Sequence, residues 1–114
     1  MKDFNGKIQY KGKEYKLVFN LNVMEEIQNE YESLEKWGDL TGASGEPNAK
    51  AVIFGFTAML NEAIDMENEE NGTDIKPLTA KQVGRMISEF GLYEATKTLN
   101  KTVIDSTESE EKNV

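Results

Sequence analysis

The stretch Ile8-Gln9-Tyr10-Lys11-Gly12-Lys13-Glu14-Tyr15-Lys16-Leu17-Val18-Phe19 decides the fold. Tyr15, Leu17 and Phe19 alternate with their neighbours at the period of two that marks a strand. Ile8 and Tyr10 stand on the far side of a short glycine-bearing link and can share that face. Two such runs joined this way predict a β-hairpin. Lysines fill much of the opposite face, which is expected to meet water. A lone hairpin is marginal in water. This one must pack on a helix or join a strand from another copy.

Beyond Phe19 the period changes. Asn22 with Glu25 three residues later resembles a capping box. Met24, Ile27, Tyr31 and Leu34 recur at helical spacing, which predicts a helix from about Val23 to Lys36 with Gly38 as its stop. Residues 41–48 read as a loop, with Pro47 in the first turn of the next helix. There Val52, Phe56, Met59, Leu60, Ala63 and Ile64 make one stripe, and Ile53 and Phe54 widen it. So wide a stripe predicts the central helix. Gly55 costs that helix about 1 kcal/mol relative to alanine and is expected to admit a close neighbour.

Glu67 to Lys76 reads as a polar connection with a turn at Asn71-Gly72. Thr79 and Gln82 make a second capping-box match, ahead of a short helix that Gly91 should end. Leu92, Ala95, Thr96, Leu99 and Val103 predict a fourth helix. The expected architecture is α+β: an N-terminal β-hairpin packed on a bundle of about four α-helices. One domain covers residues 1–104, and composition predicts a disordered acidic tail over 105–114. No internal repeat is visible.

The chain has 114 residues, 13 of them basic and 21 acidic, for a net charge of −8. That size suits one domain with one modest core. It contains neither cysteine nor histidine. Disulfides, thiol catalysis, His-based triads and His- or Cys-ligated zinc are therefore excluded within it. Residues 21–70 hold twelve acids against Lys36 and Lys50, whereas residues 1–20 carry +3. The acids read as solvated helix faces, or more sharply as a surface that attracts a basic partner. So acidic a chain should be repelled by nucleic acid and by anionic lipid. No apolar run is long enough to span a membrane, and the start Met1-Lys2-Asp3-Phe4 does not resemble a signal peptide. A cytoplasmic location is the expectation.

Several constellations fail on their own terms. A calcium loop starting at Glu67 would need a glutamate where Leu78 stands. The pairs Glu25-Glu26 and Glu69-Glu70 lack the apolar surroundings that acid/base chemistry needs. No phosphate-binding glycine loop is present. Lys7, Lys11, Lys13 and Lys16 with Tyr10 and Tyr15 could form a nucleic-acid surface, but edge-blocking lysines explain them better. Trp37, with Leu40 nearby, suits a core lid first and an interface anchor second. No cofactor, metal or catalytic residue is expected.

A set of segments, taken in order, carries a resemblance. They are Tyr10 to Leu17, Phe19 to Gln28, Trp37-Gly38-Asp39-Leu40, Met59 to Asp65, and Pro77 to Arg85. Together they resemble the tail assembly chaperones of long-tailed phages and prophages of Gram-positive bacteria, over about Ile8 to Ser106. The resemblance implies a non-enzymatic protein of the bacterial host cytoplasm. Such a protein coats the tape-measure protein, helps tail-tube subunits assemble around it, and is absent from the finished virion. It also implies a longer form made by ribosomal frameshifting, which would engage the tail-tube protein. Separately, the hairpin could extend a sheet across subunits, so a homo-oligomer is expected. Trp37, Leu40, Phe54 and Met66, each at the edge of its segment's stripe, are the expected partner-contact residues. The rivals are an acidic decoy of a host nucleic-acid-binding protein and a minor structural tail protein.

Overall fold

The first strand, β1 (Phe4–Tyr10), and the second, β2 (Lys13–Phe19), form the expected antiparallel hairpin. The structure, a computed structural model, describes residues 4–42 and 46–112. Lys11 (φ 51°) and Gly12 (φ 74°) make the turn with two left-handed residues, which matches the twist of the flanking strands. The register pairs Ile8 with Tyr15 and Gly6 with Leu17. Ile8, Leu17 and Phe19 are buried on the face the alternation predicts. Lys7 and Glu14 meet at 3.8 Å on the other.

Five helices follow among the described residues, one more than expected: α1 (Leu21–Tyr31), α2 (Leu34–Gly42), α3 (Ala49–Asn71), α4 (Ala80–Phe90) and α5 (Leu92–Lys112). The single helix predicted over Val23 to Lys36 is in fact two. Glu32 takes φ 73° and its N–H donates to the Gln28 carbonyl at 2.8 Å, which closes α1. Ser33 Oγ then accepts from Lys36 N at 3.0 Å and opens α2. Gly38 does not stop the helix but lies inside α2. The cap of α1 is Asn20, not Asn22. Its side chain accepts from Val23 N at 3.2 Å, at the third helical position.

Helix α3 is capped by Asn48, so Pro47 precedes the cap instead of entering the first turn. It continues through Asn71 and ends on left-handed Gly72, so half of the expected polar connection is helical. The core holds Val52, Phe56, Met59 and Leu60 from this helix against Phe19, Val23, Ile27 and Leu99. Thr79 and Gln82 form the expected capping box, with Gln82 N to Thr79 Oγ1 at 3.2 Å and Thr79 N to Gln82 Oε1 at 2.8 Å. Gly91 closes α4 as read. Helix α5 carries on past the expected boundary at 104/105. Thr102 and Ser106 are buried, and Gly6 allows Thr102 to approach β1, so packing and not composition sets the course of the helix there. Its backbone stays helical to Lys112, within the stretch read as a disordered tail. Residues 113–114 of that tail, and 43–45 of the predicted loop, lie outside the described residues.

Candidate functional site

Trp37 is the first of the expected contact residues to be corrected. It is 1% exposed, and its indole Nε1 donates to the Ala51 carbonyl at 2.9 Å. Its ring lies on Gly55, where an added Cβ would come within 2.4 Å of the indole. The glycine read as admitting a close neighbour does so, and that neighbour is this tryptophan. Trp37 is thus a core residue, and in this conformation it has no surface to offer. Leu40 is 39% exposed on α2. Phe54 is half-buried and meets Tyr31 edge-to-face at 5.5 Å. Met66 is half-buried near the N-terminus of α1, with Asn20 Nδ2 at 4.0 Å from its sulfur. Phe54 and Met66 are twelve residues apart on one helix, about 18 Å along its axis. The four therefore do not converge on one patch.

Met66 instead borders a cleft that the sequence reading missed. The cleft has a volume of about 430 Å³ and lies between β2 and the C-terminal half of α3, with residues 75–78 along its rim. Leu60, Ala63, Ile64, Ile75 and Leu78 give it apolar lining. Lys13 and Lys16 border it from β2, and Glu67 and Glu70 from α3. No ion pair joins these charges among the described residues.

Two asparagines hold the rim. Asn61 Oδ1 accepts from Leu78 N at 2.8 Å, and its Nδ2 donates to the Leu78 carbonyl at 3.0 Å. Asn68 does the same for Ile75, at 2.9 Å on both sides. Each amide mimics a backbone unit and satisfies one residue of irregular chain. The segment tested as a calcium loop is helical as far as Asn71, so its early positions do not form a loop. Among the described residues no group of three or more acidic, His or Cys side chains is placed to hold a metal.

The acids divide among several places. Glu62 Oε2 accepts from Asn20 Nδ2 at 2.7 Å and Asn22 Nδ2 at 3.0 Å, tying α1 to α3. Glu26 stands near Glu62, Asp65 and Glu25. Partial burial, and then those three charges in that order, raise its carboxyl above the ordinary range. Glu30 faces Lys50 at 3.6 Å, and Glu32 pairs with Lys36. The lysine–tyrosine group of the hairpin is also spoken for. Lys11 sits 5.4 Å from the Tyr10 ring, Lys13 5.1 Å from the Tyr15 ring, and both tyrosines are half-buried against the core. No helix among the described residues is long and apolar enough to cross a membrane.

Comparison with known proteins leaves these features to speak for themselves: no family model, no curated protein and no solved structure matches the chain.

Proposed function

We propose that this protein is a tail assembly chaperone of a long-tailed phage or prophage. It binds the tape-measure protein in the host cytoplasm while the tail tube is built, without catalysing a reaction. One observation carries the reading. The segments that resemble the family coincide with the joints that hold this fold. Trp37, from the second helical segment, sits on α3 through Ala51 and Gly55. Asn61, inside Met59 to Asp65, holds Leu78, inside Pro77 to Arg85. Phe19 and Leu17 of the hairpin are fully buried in the common core. A resemblance carried by residues at such joints points to a shared architecture, which chance similarity on exposed faces would not.

The surface suits the role. A chaperone needs apolar area for its client and charge to keep the complex soluble. Leu21, Leu40, Tyr93 and Ile104 are exposed on a chain of net charge −8. The decoy alternative needs carboxylates in rows on one rigid face. The dispersal of acids over α1, α2 and α3 favours the chaperone over it. A homo-oligomer, and a longer frameshifted form that engages the tail-tube protein, belong to the same proposal.

The test is co-expression with the tape-measure protein of the same gene cluster, followed by affinity pull-down and gel filtration. The expected result is a soluble tape-measure protein that co-elutes with this chain, and purified virions that lack this chain. An insoluble, unbound tape-measure protein would overturn the proposal. Presence of this chain in purified virions would favour the structural tail protein instead.

A further inference from the structure

Among the described residues the sheet has two strands, which leaves one edge of β2 unpaired. Its turn makes Tyr10 and Lys13 the first hydrogen-bonded pair, and such pairs alternate along an antiparallel ladder. Glu14, Lys16 and Val18 therefore turn their N–H and C=O groups away from β1. Among the described residues nothing bonds those groups. Val18 is buried, whereas Glu14 and Lys16 are exposed and border the cleft. A free strand edge thus lies beside an apolar trough.

The free edge narrows the choice of occupant. Unpaired N–H and C=O groups along a strand are satisfied by another extended backbone about 4.8 Å away, and not by a helix, whose own main-chain groups are already bonded. The charges narrow it further. An oppositely charged residue is favoured directly across from each edge charge. An added antiparallel strand meets Lys16 first and Glu14 two residues later.

We infer that the cleft takes an extended segment of another protein as a third strand, antiparallel to β2, with an acidic residue opposite Lys16 and a basic residue opposite Glu14. Apolar residues at the alternate positions pack over Leu60, Ala63 and Ile64. Main-chain bonds to Glu14 and Lys16 supply the affinity, and the charge pair sets the register. This inference stands apart from the tail-assembly reading and does not need it.

The test uses the full chain and a phage-displayed library of linear twelve-residue peptides. Selection should enrich the pattern acidic–any–basic. The enriched peptides, made synthetically, should shift the backbone amide signals of Glu14 and Lys16 in NMR spectra. N-methylating the peptide amides that face β2 should weaken binding at least tenfold. Lys16→Pro removes an edge N–H that β1 does not use, and should weaken binding as much. Ala63→Phe fills the trough and provides the same test should the proline disturb the hairpin, with folding checked by the spectrum of the core. Charge reversal by Lys16→Glu should change the enriched residue from acidic to basic. The inference falls if nothing is enriched, if binding survives both Lys16→Pro and Ala63→Phe, or if the bound peptide is helical. It also falls if the free protein is a dimer that Lys16→Pro dissociates, because a second copy would then be the occupant.

Discussion

The two halves of α3 are built on opposite principles. The N-terminal half, through Leu60, buries Ala51, Val52, Gly55, Phe56, Ala58, Met59 and Leu60, and nearly everything it holds is held by shape. The C-terminal half buries no residue completely. It is bound to its surroundings by amides and carboxylates: Asn61 and Asn68 to the rim, Glu62 to Asn20 and Asn22. One continuous helix is thus a core element for half its length and a wet wall for the rest. The change costs no break in the backbone, because helical hydrogen bonds do not depend on what the side chains meet. It does decide what each half can do: a dry half fixes the fold, and a polar half can border an open cleft.

The contrast predicts unequal sensitivity. Trp37→Ala removes the large buried side chain of α2 that packs on the dry half and should cost about 4 kcal/mol in urea unfolding. A loss below about 1 kcal/mol would mean that the half is not held by packing. Gly55→Ala is a sharper probe. Alanine is the better helix former by about 1 kcal/mol, yet its Cβ would meet the indole at 2.4 Å. Overpacking should win, with a net loss of about 2 kcal/mol, and Trp37→Ala/Gly55→Ala should lose less than the sum of the single changes.

In the polar half the effects should be smaller. Asn61→Ala leaves the Leu78 N–H and C=O without their partner and should cost about 1.5 kcal/mol. Amide exchange should speed up at Leu78 while the Val52 and Phe56 amides stay protected; equal loosening in both places would dissolve the distinction between the halves. The smallest effect carries a sign. The carboxyl of Glu26 has a raised pKa in the folded chain, so the folded state holds that proton more tightly than the unfolded one. Stability from this group is present below the unfolded value and is lost as pH rises through the folded value. Glu26→Gln should therefore stabilise at pH 7 by about 0.3 kcal/mol, given the exposure of the site, and by nothing near pH 3.5. A gain independent of pH would remove charge repulsion as its cause.

Where one side chain's chemistry dictates local geometry, the sequence was readable. Alternation in Tyr15-Lys16-Leu17-Val18-Phe19 put the correct face inward, and Thr79 with Gln82 marked a helix start to the residue. Gly55 marked a close approach without saying whose. The break at Glu32 was invisible because Tyr31 and Leu34 keep helical spacing across it, and a glutamate at positive φ has no signature in composition. Acids hid the second half of α3, since a polar helix and a polar loop look alike until something packs on one face. Trp37 was legible first as a core lid, which its burial matches, but the sequence placed it just past a helix end, whereas it lies inside α2. The cleft could not be read at all, because it belongs to no segment. It exists only once the β2 edge and α3 are set side by side. Its traces in the sequence are the lack of a third strand pattern and the pair Asn61 and Asn68, seven residues apart ahead of an irregular stretch.

That pair works as a gauge. Seven helical residues advance about 10.5 Å, and the three steps from Ile75 to Leu78 cover about 10 Å when extended. Two turns of helix and three links of open chain thus come out even, and each asparagine meets a residue without stretching either partner. Both amides grip peptide groups, which every residue shares, so the spelling of the stretch between them is largely free while its length is not. Over evolutionary time such a segment should drift in identity and resist insertion or deletion. An engineer could rewrite Lys76 at little cost, but could not lengthen the segment by one residue without releasing one of the two grips.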